Sequence, residues 1–343
     1  MNLTQKFPVI SFVTSENFLY VVKRLLQGVL SLFLASVLCF TIIQLAPGNY
    51  LDTLIDQNSQ ISPETLESFK IQFGLDQSPV TQYRLWLWRV VTRFDFGQSF
   101  VYFRPVSELI VERMRATLLL AIASIFFTWA IAIPLGIISA VKQNTLIDQL
   151  LRTISYIGQG FPSFITALFL LFIAQLTSPW LPVGGMTSIN HDQLTPVGKI
   201  VDLLWHMFLP TVALSLTSFA GLQRLTRGQL LDVLHQDYIK TARAKGLPEN
   251  RVLYIHALRN AINPLITLLG FEFASLLSGS FIAEYFFSWP GMGRLVLQAV
   301  QAKDLYLVMA SLMMGATMLI IGNLLADLLL KFTDPRIRLE NLK

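Results

Sequence analysis

Residues able to do chemistry are sparse in this 343-residue chain, and their spacing excludes most catalysis. No G-x-x-x-x-G-K-[ST] occurs. The Gly198-Lys199 pair is followed by Ile200 and lacks the upstream glycine, so no P-loop forms on this chain. No H-E-x-x-H is present, and His191, His206, His235 and His256 are scattered too widely for a zinc site built from sequence neighbours. No G-x-S-x-G nucleophile elbow occurs. Cys39 is the single cysteine and cannot pair within the chain. Two carboxylates, Glu272 and Asp327, stand in apolar stretches. They lie in different stretches, whereas a buried acid–base pair needs both groups at one place. Two uses remain for them: carrying protons, or pairing with a polar neighbour between helices. Asp327 is also placed to reach water or Lys331 one turn on. The chain is therefore read as no enzyme, with no cofactor or metal of its own.

Composition says what must hold these residues. Hydrophobic residues make up 53% of the chain and charged residues 14%, against about 25% charged in ordinary globular domains. Mean hydropathy is +0.56. So few charges could hardly cover a soluble surface of this size. The composition fits an all-α polytopic membrane protein and excludes disorder, a disulfide scaffold and a nucleic-acid-binding domain. A crossing helix needs about 20 apolar residues. Six stretches qualify: Leu25 to Leu51, Ala116 to Val141, Thr153 to His191 with breaks at Pro179 and Pro182, Leu203 to Gln223, Asn260 to Ala283, and Leu305 to Ala326. Pro134, Pro162 and Pro264 are expected to bend or begin helices, Pro264 in the first turn of the fifth span.

Six spans place both termini on one side. With that side cytoplasmic, sixteen of the 26 basic residues fall inside, as the positive-inside bias requires. The first apolar span starts late and is longer than a signal-peptide core of about 7–15 residues, so it is expected to stay. The division is a cytoplasmic segment 1–24, a membrane domain 25–332 and a cytoplasmic tail 333–343. The external loop, about 47–112, carries Asp52, Asp56, Glu64, Glu67, Asp76 and Asp95. Within it Ser62-Pro63 predicts a helix start, with the helix running to about Phe73. Gln82 to Thr92 reads either as a segment with Trp86 and Trp88 at headgroup level or as a small packed loop. Gly270, Ala274 and Ser278, like Gly322 and Ala326, are spaced as small helix-contact faces.

The cytoplasmic loop, about 224–259, holds the most informative pattern. From Leu231 to Gly246, a helical projection puts Leu231, Leu234, Tyr238, Ile239 and Ala242 on one stripe, with Asp232, Gln236, Asp237, Lys240 and Arg243 opposite. Gly246 then ends the helix and Pro248 follows. Such a helix can rest on lipid or dock to a cytoplasmic partner.

The stretch Asp237-Tyr-Ile-Lys-Thr-Ala-Arg-Ala-Lys-Gly246, with His256-Ala-Leu-Arg-Asn260 downstream, resembles the cytoplasmic loop of ABC transporter permeases of the dipeptide/oligopeptide/nickel branch. The general family pattern opens Glu-Ala-Ala where this chain has Lys240-Thr241-Ala242, and it ends Leu-Pro where this chain has Leu258-Arg259. Both departures match that branch. Phe73-Gly-Leu-Asp76 with Gln82-Tyr83, Asp95-Phe-Gly-Gln-Ser99, Ser288-Trp-Pro-Gly-Met-Gly293 and Asp334-Pro-Arg-Ile-Arg338 resemble it too, in order along nearly the whole chain. The long first external loop is similar to that of the first permease of the usual pair.

The resemblance implies a type I importer permease in a bacterial inner membrane. It implies a second, homologous permease and an external substrate-binding protein. It also implies two cytoplasmic ATPases, which would use the ATP and magnesium. Tyr238, Ile239, Lys240, Thr241, Ala242, Arg243, Ala244, Lys245 and Gly246 would then couple the permease to an ATPase, with Tyr238, Ile239 and Ala242 as anchors. Glu272, Ser275 and Ser278 are expected near the translocation path, since polar groups in an apolar span tend to face a cavity or another helix. The cargo would be peptides or a related solute such as a nickel chelate. The rival is a proton-coupled secondary transporter using an intramembrane carboxylate.

Overall fold

A computed structural model describes residues 16–48, 50–52, 62–72, 74–266, 268–269, 272 and 280–333. The described residues are almost wholly helical. They contain no β-strand, only an isolated antiparallel bridge between Gln98 and Pro105. In chain order the helices are α1 Glu16–Leu45, α2 Pro63–Gln72, α3 Pro79–Arg93, α4 Val106–Val141, α5 Leu146–Gly160 and α6 Ser163–Leu176. After these come α7 Pro196–Leu234, α8 Asp237–Ala244, α9 Phe281–Phe286, α10 Met292–Gln301 and α11 Leu305–Thr333.

Four of these contain a stretch long and apolar enough to cross a bilayer: Val21–Leu45, Val106–Val141, Pro196–Leu216 and Leu305–Leu325. They carry the first, second, fourth and sixth expected spans. The third is divided at Pro162, one of the prolines expected to bend or begin a helix. It is not one rod broken at Pro179 and Pro182 but a pair, α5 and α6, bent by 100°. The bend falls at Phe161-Pro162, where Pro162 caps α6 in an extended conformation. A residue preceding proline is driven out of the helical region, which ends α5 there. Ten of the 24 residues of the fifth expected span, 267, 270–271 and 273–279, lie outside the described residues. Pro134 and Pro210 sit inside α4 and α7, whose long apolar helices tolerate them.

The chain forms two compact units. The smaller comprises Leu25–Leu118 and Pro290–Met318. Ser62 Oγ accepts the Thr65 amide at 3.2 Å, as expected of a cap for α2. Ser78 caps α3 in the same way. Helix α3 divides the tryptophans of Gln82 to Thr92 between a buried and an exposed face. Trp86 is buried and its indole donates to the Phe96 carbonyl at 3.2 Å, while Trp88 is 65% exposed. Trp86 joins Phe40, Phe100, Leu109, Leu295 and Leu307 in the core. Asp304 closes this unit. It accepts the Ser99 hydroxyl at 2.6 Å, the Phe100 and Val101 amides at 2.7 and 3.1 Å, and the Leu307 amide at 3.2 Å as the cap of α11.

The larger unit comprises residues up to Arg24, Leu119–Trp289 and residues from Leu319. Helix α7 is packed against α5 and α6. A Cβ at Gly136 of α4 would lie 2.8 Å from the Gln223 carbonyl of α7, so the glycine is what allows these helices to approach. At 39 residues, α7 is about 58 Å long, nearly twice the hydrocarbon thickness. It therefore continues well past its membrane stretch.

Candidate functional site

The segment from the end of α7 to Ala261 carries the patterned helix. It is not the single helix from Leu231 that the projection suggests. Helix α7 stops at Leu234, Gln236 is extended, and α8 restarts at Asp237. The end of α8 is a Schellman turn. Gly246 N–H donates to the Arg243 carbonyl at 2.9 Å and Leu247 N–H to the Ala242 carbonyl at 3.4 Å. Gly246 has φ +75°, the left-handed conformation expected of it, and its Cβ position faces open space.

The apolar stripe of α8 faces inward. Ile239 and Ala242 are buried with Leu230 of α7, Ile137 and Ala140 of α4, and Val252, Leu253, Ala257 and Ala261 downstream. This corrects the expectation that they anchor a partner, because the chain's own core already occupies them. What α8 and its cap Lys245 leave exposed is Asp237, Tyr238, Lys240, Thr241, Arg243, Ala244 and Lys245. Three of these side chains, Tyr238, Lys240 and Arg243, are held by hydrogen bonds. Asn260 Nδ2 donates to the Tyr238 hydroxyl at 3.1 Å. Lys240 donates to Asp237 at 2.9 Å and holds that carboxyl below its ordinary range. Arg243 grips Glu249 with two hydrogen bonds, 2.6 and 3.1 Å long. The bonded guanidinium lowers the Glu249 pKa, and Arg243 is raised in turn. Val252–Ala257 wind as a π-helix, a form that often marks functional sites, and carry His256 into the Asn260 turn.

A buried ion pair supports this segment, and the sequence reading missed it. Asp148 of α5 accepts Arg227 of α7 through two hydrogen bonds of 2.7 and 2.9 Å. It also accepts the Ser139 hydroxyl of α4 and the Asn144 amide at 2.9 Å. The pair therefore ties α4, the 142–145 turn, α5 and the end of α7 just before α8. Only Glu272 and Asp327 stood out as buried carboxylates in sequence. The structure also buries Asp148, Glu284 and Asp304, which lie at helix ends where local hydropathy is not extreme. For Asp148, the available signal is Thr145 as a helix cap three residues earlier, with Arg152 one turn later.

Of the expected path residues, Glu272 is buried, and Trp129 Nε1 of α4 donates to its Oε2 at 2.7 Å. That is the pairing of a carboxylate with a polar neighbour on another helix. Ser275 and Ser278 lie outside the described residues, as do Gly270, Ala274, Phe73 and Asp334 to Arg338. Asp327 pairs with Arg24 of α1 at 3.1 Å, a partner on another helix. Among the described residues, no three His, Cys, Asp or Glu side chains are grouped to hold a metal.

Comparison with known proteins agrees over most of the chain. Residues 132–339 match the family of the binding-protein-dependent transport system inner membrane component. Residues 17–121 match the N-terminal region of the same kind of membrane component. The oligopeptide transport system permease protein AppB of Bacillus subtilis is 39% identical over 319 residues, covering 93% of this chain and 98% of that one. The dipeptide transport system permease protein DppB of Escherichia coli is 33% identical over 335 residues, with 93% and 98% covered. Among solved structures, the inward-facing MetNI methionine ABC transporter shares the fold at a TM-score of 0.52 and 15% identity. That match covers 66% of this chain and 97% of the solved one.

Proposed function

The chain belongs to the family of binding-protein-dependent transport system inner membrane components, and on that premise we propose that it is the permease subunit of an ATP-driven peptide importer. The names of the two relatives support peptides as the cargo class. A second, homologous permease completes the translocation path. Two ATPase subunits bind ATP and magnesium, and an external protein delivers the peptide. Both termini lie in the cytoplasm, which the distribution of basic residues supports. The loop from Arg224 to Arg259 then faces the ATPases.

One observation carries the coupling role. Helix α8 is fused by its buried face to the ends of α4 and α7, while its opposite face is exposed and ordered by ion pairs. A partner pushing on Tyr238, Lys240, Thr241, Ala244 or Lys245 moves α8 together with two long helices. That is a rigid-body lever of the kind used in other switching proteins. Glu272, with Ser275 and Ser278, is retained as a proposed element of the translocation path.

The test is peptide uptake by proteoliposomes holding the co-expressed complex. Uptake should require ATP and the binding protein. In the same complex, a cysteine at Ala244 should crosslink to an ATPase subunit. Uptake driven by a proton gradient without ATP would refute the reading.

A further inference from the structure

A cavity of about 390 Å³ lies in the smaller unit, between the end of α1 and the start of α11. Its chemistry changes with depth. Cys39 and Ile43 line it from α1, and Val308 and Leu312 line it from one and two turns into α11. The polar groups sit at the other end. Gln44 in the last turn of α1, Gln82 of α3 and Lys303 just before α11 form a rim. Hydrogen bonds fix that rim. Gln44 Nε2 donates to Gln82 Oε1 at 3.2 Å, and Gln82 Nε2 to the Gln77 carbonyl at 2.9 Å. Lys303 Nζ donates to the Pro47 carbonyl at 2.7 Å.

The lining side chains Ile42, Val300 and Leu312 are exposed, so the cavity is reached from the outer surface of the unit. Ile42 and Leu312 belong to the stretches of α1 and α11 that are apolar enough to cross a bilayer. The cavity therefore opens sideways into hydrocarbon, with its polar rim at the level where those stretches end. Water is a poor occupant of the deep half. A buried water needs about 2–4 polar partners, and of the four side chains there only the Cys39 thiol is polar. A mostly apolar cavity with a few polar groups at one end is how small-molecule sites fix orientation, and the volume falls in their range of about 300–1,000 Å³. Lys303 is the one cation among the described lining residues, and no carboxylate lines the cavity. Asp52 comes close beside Gly48, where a Cβ would lie 2.7 Å from Lys303 Nζ and 3.1 Å from the Asp52 carboxyl, but it is not part of the lining. An ammonium pairs with a phosphate as a point charge.

We propose that this cavity binds one acyl chain of a membrane phospholipid, with the lipid phosphate at Lys303. The order of polar and apolar groups along α1 and α11 is that of a lipid lying parallel to them. On the proposed orientation the lipid belongs to the external leaflet. The site is independent of the cargo and of the coupling segment.

The test gives the co-expressed complex, in detergent micelles, phosphatidylethanolamine with a diazirine midway along one acyl chain. After irradiation, mass spectrometry maps the labelled residues. Labelling at Ile43 and Val308 should exceed several-fold that at Leu34 and Leu38, which are exposed on α1 outside the cavity. Equal labelling of all four would reduce the site to ordinary boundary lipid and overturn the proposal. Labelling at Leu38 with none at Ile43 or Val308 would mean that protein covers the cavity, which also overturns it. Leu312→Trp fills the cavity from its exposed wall and should abolish labelling at Ile43, whereas Leu38→Trp should leave it unchanged. A Leu312→Trp complex that keeps its label at Ile43 excludes the cavity as the site. The headgroup is tested with diacylglycerol carrying the same labelled chain. It should label Ile43 about tenfold less or weaker still, since one charge-assisted contact is missing, and Lys303→Gln should bring phosphatidylethanolamine down to the same level. Equal labelling by the two lipids in the wild type would remove the phosphate from Lys303 and overturn the phospholipid assignment.

Discussion

Gly246 is the residue on which the shape of the coupling segment turns. Its φ of +75° disfavours any Cβ, yet no neighbour would obstruct one. The cost of substitution is therefore in the backbone, about 1 kcal/mol or more, and greatest for a β-branched residue. Gly246→Val should abolish ATP-driven uptake, while Gly246→Asn, which accepts the left-handed region, should retain most of it. Equal loss in both would point to a packing role instead. Ala242 tests a different property. A bulky side chain there intrudes into the chain's own core, so the yield of folded permease should fall before any coupling defect appears. At Glu272, Gln keeps an oxygen for Trp129 but removes the charge. Glu272→Gln should leave complex assembly intact and change transport, as read by uptake across a range of cargo concentrations.

At the scale of elements, two contacts decide whether α8 moves with the helices behind it. The first is the Arg243–Glu249 clamp across the turn after α8. The folded Glu249 pKa lies below its ordinary value near 4.3, so the clamp's contribution is present above that value. It is lost as pH falls through the depressed folded value. Protection factors of the amides of residues 245–251, measured against the intrinsic exchange rate at each pH, should fall below about pH 4 in the wild type, and Glu249→Gln should show the lower protection already at pH 7. The clamp is exposed, so the effect should stay local. The second contact is the Asp148–Arg227 pair. Removing one partner of a buried pair costs about 3–5 kcal/mol, because the other charge is left without its counterion. Asp148→Asn should lower the unfolding midpoint of the purified permease clearly, whereas Asp237→Asn on the exposed face of α8 should barely move it.

At the scale of the whole molecule, topology and partnership are the testable properties. In a Cys39→Ala background, a cysteine at Gln77 should react with an impermeant thiol reagent in intact cells, and one at Lys245 only after lysis. The reverse pattern would invert the proposed orientation. Purified alone, the chain should hydrolyse no ATP, since Gly198-Lys199 lacks the loop that cradles phosphates. A stoichiometric complex should be recovered only on co-expression with the second permease and the ATPases.

Some of this was settled by local chemistry. Apolar stretches separated by charges announce a polytopic helical protein, because an unpaired backbone polar group has no place in hydrocarbon. Gly246 announced its own turn, since glycine enters the left-handed region freely, and Ser62 announced the start of α2. The motif from Asp237 to Gly246 was legible as a family signature. Its orientation was not. A helical projection shows that α8 has an apolar face but not what covers it, and the fold turned Ile239 and Ala242 onto Leu230, Ile137 and Val252. The break at Phe161-Pro162 was legible from the proline, although hydropathy stays high through both halves of the bent pair. Asp148 with Arg227, Asp327 with Arg24, and Glu272 with Trp129 are separated by 79, 303 and 143 residues. No spacing rule reaches that far. Such partners are fixed only when helices pack, because a buried charge or indole N–H must find whichever polar group tertiary contact brings within about 3 Å.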